Sequence, residues 1–302
     1  MIINNQPLVS ILMAVYNESL YLEACITSLL AQDYKNIEII IVDDFSTDNT
    51  YEIATKLMEK NSKKIKLYKN ITKGKASAFS LAFKKSVGNV ITLIGGDDTV
   101  TKSYITSRMT IYQKLIIKSD KICIFGKLKS FSKNKKYNGI VSPKNIKHCN
   151  NFSGGLMLFS RKLGEVAFPV PNELPSEDGW LGLHARFFST YRCVDSIVLN
   201  YRIHSGNTID RNANFEKVTS RIASRRNAET IFYMKYKKQL NKKQLNALEA
   251  EILLEHHRVN GHLFKIFFLK NINLVAKLRA ISYSNKYIYY VRIFFFRLFS
   301  GI

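Results

Sequence analysis

Three short apolar runs near the start of the chain have the pattern of buried β-strands. They cover Leu8–Val15, Ile37–Val42 and Val90–Ile94, are rich in β-branched residues, and each ends at polar residues or glycine. Between them, Leu20–Ala31 and Thr50–Lys60 carry apolar side chains at helical spacing. Strands that alternate with helices predict a buried parallel sheet with crossover helices, so the predicted fold class is α/β.

The pattern changes along the second half of the chain. The basic stretch Lys114–Lys147 has weak periodicity and predicts an exposed hairpin or loop. Strand patterns follow within Asn151–Ser160 and Cys193–Tyr201, and from about Phe215 the sequence predicts long helices. We therefore expect one α/β domain over residues 1–210 and a helical region over residues 211–302.

Composition adds a strong positive charge to this picture. The chain has 302 residues, with 46 Lys and Arg against 23 Asp and Glu, which gives a formal net charge of +23. Such a charge favours nucleic acid, an anionic membrane surface or phosphorylated substrates, and its sign alone does not choose among them. The 4 cysteines form no CxxC pair, which disfavours a zinc site and predicts reduced thiols in a cytoplasmic protein.

The C-terminal region combines basic and aromatic residues. No acidic residue follows Glu255, and Lys and Arg alternate with clusters such as Tyr287–Tyr290 and Phe294–Phe296. This pattern suits a helix that lies in the headgroup region of an anionic membrane. The alternative is a helix packed on the rest of the chain or on a second subunit, so a homo-oligomer is compatible with the sequence. No apolar run reaches the length of a spanning helix, and no transmembrane segment or secretion signal is predicted.

Polar clusters follow three of the predicted strands. They are Tyr16–Glu18, Asp43–Asp48 and Gly95–Asp98. Because ligands of open α/β sheets bind at the carboxyl ends of strands, the three clusters should converge on one rim. The turn after the first strand reads AVYNES and lacks the phosphate-binding glycines, which excludes a dinucleotide site of the dehydrogenase type. As an alternative, Asp43–Asp48 could only cap the following helix.

Asp97 and Asp98 place two carboxylates side by side at a strand end. Their repulsion is costly unless a proton or a cation relieves it, and a hard divalent ion such as Mg²⁺ or Mn²⁺ is the natural partner. A simple polar turn is the alternative for this pair.

Together these motifs resemble the nucleotide-binding region of the family 2 inverting glycosyltransferases. The similarity runs from PLVSILMAVYNES and IEIIIVDDFSTDNT through Lys73–Gly74 and Gly95–Asp98 to PSEDGWL and YRIHSGNTI, over about residues 7–210. The resemblance implies the GT-A fold, a Rossmann-like mixed sheet flanked by helices, with a C-terminal helical extension outside the family's motifs.

The resemblance also implies roles for individual residues. A UDP-sugar donor would contact the loops that follow the strands. Asp97 would hold the divalent metal, with Asp98 and His204 as further ligands. Asp178 would be the general base. The family's first acid before this metal ligand is replaced by Gly95 here. The implied donor-binding residues are Ala14, Tyr16, Asn17, Glu18, Asp43, Asp44, Lys73 and Asp97, and the implied acceptor or sugar pocket consists of Gly154, Gly155, Glu177 and Trp180.

The expected function is transfer of a hexose (Glc, Gal, GlcNAc or GalNAc) with inversion. The donor would be a UDP-sugar, and the acceptor a sugar hydroxyl of a lipid-linked oligosaccharide, lipopolysaccharide or capsule precursor at the inner face of the cytoplasmic membrane. A nucleic-acid-binding protein is the alternative suggested by charge, but no docking motif or stacking platform is present. A non-catalytic sugar-nucleotide-binding subunit is the alternative suggested by Gly95.

Trp180 would either stack on the acceptor or belong to the core, and Gly154 and Gly155 would either admit the donor sugar or form a turn.

Overall fold

The computed structural model describes residues 6–146, 153–204 and 214–300, with residues 295–300 described by their backbone alone. The chain divides into two compact units, Met1–His204 and Ser205–Ile302. The predicted boundary between residues 210 and 211 lies outside the described residues.

The first unit is built around a mixed sheet, which has nine strands within the described residues. The apolar runs form strands because their β-branched side chains fill both faces of a covered sheet. The strands are β1 (Val9–Val15), β2 (Ile37–Asp43), β3 (Ile65–Lys69), β4 (Val90–Gly95), β5 (Thr99–Val100), β6 (Ile122–Ser132), β7 (Val141–Ser142), β8 (Met157–Ser160) and β9 (Thr190–Ile203).

The sheet has the order β3-β2-β1-β4-β8-β6-β9-β5, and β7 pairs with β6. Strands β3, β2, β1 and β4 are parallel, with Val9 opposite both Ile37 and Val90. Strand β8 is antiparallel to β4 and β6, β9 runs parallel to β6, and β5 is antiparallel to β9. This order brings β5 and the end of β9 together, although about a hundred residues of chain separate them, as in the pair Thr99 and Asn200.

Six α-helices cover this sheet in the described part of the first unit, and strands and helices share a large cluster of buried apolar side chains. Val9, Ile39 and Leu158 are fully buried there, and Ile26 from a flanking helix packs in the same cluster. The helices are α1 (Leu22–Leu30), α2 (Thr50–Lys60), α3 (Lys75–Lys85), α4 (Thr106–Leu115), α5 (Arg161–Ala167) and α6 (Asp178–Phe188).

The second unit consists of helices, as predicted from about Phe215. Leu254, Ile266 and Ala280 form a small core between three of them. No helix among the described residues is long and apolar enough to cross a membrane. The helices are α7 (Phe215–Tyr236), α8 (Lys242–Val259), α9 (Leu263–Phe268), α10 (Leu274–Ser282) and α11 (Lys286–Ser300).

The cysteines differ from the expectation of four reduced thiols. Cys25 and Cys123 are free and buried. Cys193 is disulfide-bonded, so the prediction is wrong for this residue. Cys149 lies outside the described residues. Widely spaced cysteines without a CxxC pair carry no signal of such a bond.

Candidate active site at the carboxyl ends of the strands

The loops after β1 and β2 are joined by hydrogen bonds. The Asn17 amide donates to Ser46 Oγ at 3.1 Å, and the Thr47 amide donates to Asn17 Oδ1 at 2.8 Å. The Glu18 amide donates to Thr50 Oγ1 at 2.7 Å. Asn17 has a φ of 53°, a left-handed conformation that asparagine tolerates better than most residues. The expected convergence of these two clusters is therefore confirmed.

Asp44 connects β2 to the loop before α3. Its Oδ1 accepts hydrogen bonds from the Gly74 amide at 2.8 Å and from Asn70 Nδ2 at 2.7 Å. Gly74 has a φ of 141°, which side chains strongly disfavour, so glycine is required there. The adjacent Asp43 is buried and its Oδ2 accepts from the Ser46 amide at 3.2 Å. Both acids thus shape the rim, and their contact with a nucleotide stays a prediction.

Tyr16 and Lys73 lie together on the exposed side of this rim. The Tyr16 side chain is 44% exposed, and Lys73 Nζ lies 5.1 Å from the centroid of its ring. Ala14 is buried near the end of β1. An aromatic ring with an adjacent ammonium group can stack on a base and contact a phosphate.

Three carboxyl groups gather after β1 and β4. Burial raises the pKa of Glu18 well above its usual range, and the charge of Asp97 adds to this effect. Burial and the same Asp97 charge also raise the pKa of Asp98. Within the described residues, Glu18 Oε2 is buried and accepts no hydrogen bond. Negative charge is thus concentrated around Asp97 and is poorly compensated by the protein.

Glu38 is a different buried acid, and hydrogen bonds and a neighbouring lysine stabilise its negative charge. Glu38 lies at the start of β2, at the opposite end of the strand, and accepts hydrogen bonds from Ser10 Oγ at 2.7 Å and from the Val87 amide at 2.7 Å. Burial opposes ionisation, but the bonds from Ser10, Val87 and Lys66 hold the pKa of Glu38 below its usual value. The uncompensated acids are therefore a property of the carboxyl end of the sheet.

His204, at the end of β9, completes this group. Its Nε2 lies 3.4 Å from Asp97 Oδ2, and the two side chains are 22% and 21% exposed. The Arg202 amide donates to Asp98 Oδ1 at 2.7 Å, and Arg202 Nε donates to the Asp97 carbonyl at 2.7 Å. Asp98 is thereby buried against β9, while Asp97 and His204 reach the surface.

Asp97 and His204 fit a divalent cation. A carboxylate oxygen and an imidazole nitrogen are both ligands for Mn²⁺, and the adjacent unsatisfied oxygen of Glu18 adds negative potential. Among the described residues, no set of three His, Cys, Asp or Glu side chains could hold a metal alone. The remaining ligands would come from a diphosphate and water, as is common for Mg²⁺. The ligand role predicted for Asp98 is less well supported, because its Oδ1 already accepts from β9.

Glu177 and Asp178 lie at the beginning of α6. The Gly154 amide donates to Asp178 Oδ1 at 2.6 Å. Glu177 is only 2% exposed, and its Oε1 lies 3.4 Å from Lys75 Nζ. Burial raises the pKa of Glu177 to about 7; the Lys75 ammonium opposes this shift and the Asp178 charge adds to it. A Cβ on Gly154 would lie 3.0 Å from Glu177 Oε1, so glycine leaves room for both acids.

Lys75 links the two groups of acids. Burial by itself lowers the pKa of this ammonium, but the charges of Glu177, Asp178 and Asp97 together hold it above its usual value. The same ammonium charge also acts on Glu18 and Asp98. The acids after β4 and those of α6 therefore belong to one electrostatic cluster around Lys75.

Two residues of the predicted sugar pocket belong elsewhere. Trp180 is fully buried and its Nε1 donates to the Ala167 carbonyl at 2.6 Å, so it is a core residue and cannot stack on an acceptor. A Cβ on Gly155 would lie 2.9 Å from Leu199 Cδ2, so this glycine permits packing on β9. The pocket role is wrong for Trp180, because its ring and its polar atom are both used inside the fold.

Sequence reasoning missed Lys75, Asn70 and Arg202. Lys75 follows the Lys73–Gly74 pair directly, and only the position of the buried Glu177 shows which lysine contacts this acid, although the Lys75 side chain is itself 46% exposed. Asn70 directly follows β3, a strand that the apolar pattern did not reveal because only one of its residues, Ile65, is buried. Arg202 lies in the YRIH motif, in which the sequence indicated only the histidine as a site residue.

The comparison with protein families decides the identity of this site. The family model described as Glycosyl transferase family 2 matches residues 10–162, which contain β1 to β4 and the Asp97 loop. The chain belongs to glycosyl transferase family 2. The family predicted from the motifs is thereby confirmed.

Relatives of this family 2 protein include enzymes of lipid-linked sugar assembly. It is 30% identical over 208 residues to the Escherichia coli UDP-Glc:alpha-D-GlcNAc-diphosphoundecaprenol beta-1,3-glucosyltransferase WfaP, covering 66% of this chain and 78% of WfaP. It is 39% identical over 106 residues to an uncharacterized glycosyltransferase of Haemophilus influenzae, covering 35% of this chain. The chain spans 42%, 35% and 28% of the length of three curated relatives that match it over such shorter stretches.

Solved structures confirm the predicted GT-A type of fold. Staphylococcus aureus TarS 1–349 in complex with UDP-GlcNAc superposes with a TM-score of 0.61 at 18% identity, over 94% of this chain and 83% of TarS. The mannosyltransferase PcManGT of Pyrobaculum calidifontis, in complex with GDP-Man and Mn²⁺, gives a TM-score of 0.59 at 14% identity, over 93% and 74% of the two chains.

Proposed function

We propose that this family 2 protein is an inverting glycosyltransferase that moves a hexose from a UDP-sugar to a sugar hydroxyl of a lipid-linked precursor. The observation that carries this proposal is the arrangement of acids near Lys75: Asp97, which lies 3.4 Å from His204 at the rim, and Asp178, which accepts from the Gly154 amide at the start of α6. One side of this cluster suits a cation and a diphosphate, and the other offers a carboxylate to an acceptor.

The donor half of the site is proposed along the loops after β1, β2 and β3. Tyr16 and Lys73 would contact the base and the diphosphate, while Asp44 keeps the Gly74 loop in place through its hydrogen bonds. Asp97 and His204 would hold a Mn²⁺ or Mg²⁺ ion. When bound, that ion supplies Lewis acidity toward the diphosphate leaving group. PcManGT, which shares the fold, was solved with Mn²⁺, and this supports divalent cation use.

Asp178 would act as the general base. As the acceptor oxygen bonds to the anomeric carbon, its hydroxyl proton passes to the Asp178 carboxylate, and the bond between that carbon and the UDP oxygen breaks. Attack from the side opposite the leaving group inverts the configuration. The Gly154 amide orients the carboxylate, and Lys75 stabilises the negative charge of this acid and its neighbour Glu177.

The proposed acceptor is a sugar linked through a diphosphate to a lipid. WfaP, which shares 30% identity, is named for a GlcNAc-diphosphoundecaprenol acceptor and a UDP-Glc donor, so this pair is the first to test. We propose the inner face of the cytoplasmic membrane as the place of action, because a lipid-linked acceptor is anchored in a membrane. The net charge of +23 favours both the phosphates of the acceptor and the anionic lipids around it.

The deciding experiment measures transfer from UDP-Glc, UDP-Gal, UDP-GlcNAc and UDP-GalNAc to a GlcNAc-diphosphate lipid with Mn²⁺ present. We expect Asp178→Asn to bind UDP with unchanged affinity by calorimetry and to lose roughly 10²-fold or more in transfer rate. The matched control is Asp33→Asn, an exposed acid between α1 and β2, which should transfer normally. Full transfer by Asp178→Asn would refute its role as base. UDP-sugar binding without transfer to any acceptor would instead indicate a non-catalytic subunit.

A further inference from the structure

Helices α9, α10 and α11 each carry an exposed apolar face in addition to a buried one. On α9, Phe264, Phe267 and Phe268 are exposed at helical spacing, with Phe264 83% exposed, while Ile266 is fully buried. A helix that only packs on its neighbours has one apolar face, so the second face requires another explanation.

The two other helices repeat this arrangement. The buried side of α10 is represented by Ala280 and that of α11 by Tyr289. α10 packs against both α9 and α11, so the three helices that carry these exposed residues are neighbours. The exposed apolar residues are Leu274, Val275 and Leu278 on α10, and Tyr287, Tyr290, Val291 and Phe294 on α11. We call these residues, with the three phenylalanines of α9, the C-terminal patch.

Within the segment that carries the C-terminal patch every charged side chain is basic, and the exposed Glu216 of α7 lies 3.4 Å from Lys286 Nζ at the start of α11. No Asp or Glu occurs after Glu255. The exposed basic side chains in the described part of this segment include Lys265, Lys270, Arg279 and Arg292. Exposed aromatic and aliphatic side chains bordered by lysine and arginine are the composition that enters the headgroup region of an anionic bilayer.

We propose that the C-terminal patch binds the surface of an anionic membrane, with the apolar faces of α9, α10 and α11 inserted at the headgroup level. A second copy of the chain fits less well, because a two-fold contact would place this predominantly basic surface against itself. A nucleic acid fits less well too, since the aliphatic side chains of α10 offer neither stacking nor phosphate contacts. This inference does not depend on the proposed reaction, because lipid binding needs neither donor nor acceptor.

Flotation of the full chain with vesicles tests the apolar faces. Vesicles of phosphatidylcholine with about a third phosphatidylglycerol should carry the protein, and pure phosphatidylcholine should not. Phe264→Ser with Phe268→Ser should lower binding roughly tenfold or more, because two large apolar groups no longer enter the bilayer. The control, Ile117→Ser with Met234→Ser, changes residues that are 84% and 67% exposed outside the patch and should bind like the wild type.

A second pair of variants tests the charge. Lys265→Gln with Lys270→Gln should lower binding roughly 25-fold, because each basic residue near the surface contributes about fivefold. Lys60→Gln with Lys63→Gln removes the same charge from exposed positions at the end of α2 and should lower binding less than twofold. Equal losses in both pairs would overturn the proposal, since net charge and not the patch would then explain binding.

Two further outcomes would also overturn it. If the wild type does not float but is a dimer by light scattering, and the Phe264 and Phe268 variant is a monomer, then the occupant is a second copy. If a duplex DNA fragment binds in place of vesicles and the Lys265 and Lys270 variant loses that binding, then the occupant is nucleic acid. Unchanged far-ultraviolet circular dichroism of each variant verifies that the helices remain folded. If the patch variants float poorly yet transfer sugar normally to a water-soluble acceptor, then the patch and the reaction are separable.

Discussion

The ionisation of the buried Glu177 should make the free energy of unfolding depend on pH. Its carboxyl group is 2% exposed and its pKa in the fold is about 7, against 4.5 for a free glutamate. A raised pKa in an acid means that the folded state retains its proton longer than the unfolded state. Its contribution to stability is therefore fully present below about pH 4.5 and is lost as the pH rises through 7.

The size of the effect follows from these two values. The difference of 7 − 4.5, or 2.5 units, corresponds to about 3 kcal/mol once both states are ionised. Between pH 5 and pH 8 roughly 2–3 kcal/mol of this stabilisation is lost. Glu177→Gln removes this ionisation. The free energy of unfolding of the wild type, relative to the variant, should therefore fall by about that amount from pH 5 to pH 8.

Urea unfolding followed by tryptophan fluorescence is the assay. The chain has 1 tryptophan. Trp180 is buried on α6, next to Glu177, so its emission reports on the unit that contains the substitution. Glu59→Gln, an exposed acid on α2, is the matched control and should show no such pH dependence. In a Lys75→Met background the drop should move to higher pH, because the ammonium no longer favours the Glu177 carboxylate.

The reasoning is refuted if the difference between wild type and Glu177→Gln is constant from pH 5 to pH 8 or grows with pH. A constant difference would mean that Glu177 ionises in the fold as it does in water, and a difference that grows with pH would mean that the contact with Lys75 outweighs burial.

The remaining predictions concern the metal site, the cluster and the core. Asp97→Asn should raise the Mn²⁺ concentration that gives half-maximal transfer by roughly tenfold or more, measured by metal titration; an unchanged titration would remove Asp97 from the metal site. Lys75→Met should lower transfer roughly 10-fold or more while Lys69→Met stays active, and equal activity would show that the cluster needs no ammonium. Trp180→Phe should cost about 1–3 kcal/mol in urea unfolding, followed by circular dichroism, because it removes the bond to Ala167. The acceptor KM of Trp180→Phe should stay unchanged, and a raised KM would show that Trp180 contributes to the acceptor pocket.

The sequence alone determined strands β1, β2 and β4 and the family. The apolar runs β1, β2 and β4 are buried on both faces, so their pattern is continuous and strong. Helix α2 begins and ends at the predicted residues Thr50 and Lys60. The polar clusters follow those strands directly, and the parallel arrangement of the strands is enough to bring their carboxyl ends together.

Only the tertiary structure decided which charged and aromatic side chains face the site, the core or the solvent. Lys73 and Lys75 differ by two positions, yet only Lys75 contacts Glu177, because it begins α3 beside α6. Trp180 looks like a pocket residue beside Asp178, yet the helix turns it into the core. Phe264 and Ile266 are both apolar, and only packing shows that the first remains exposed. A one-dimensional pattern fixes the spacing of side chains along an element, whereas their orientation depends on the elements that pack against it.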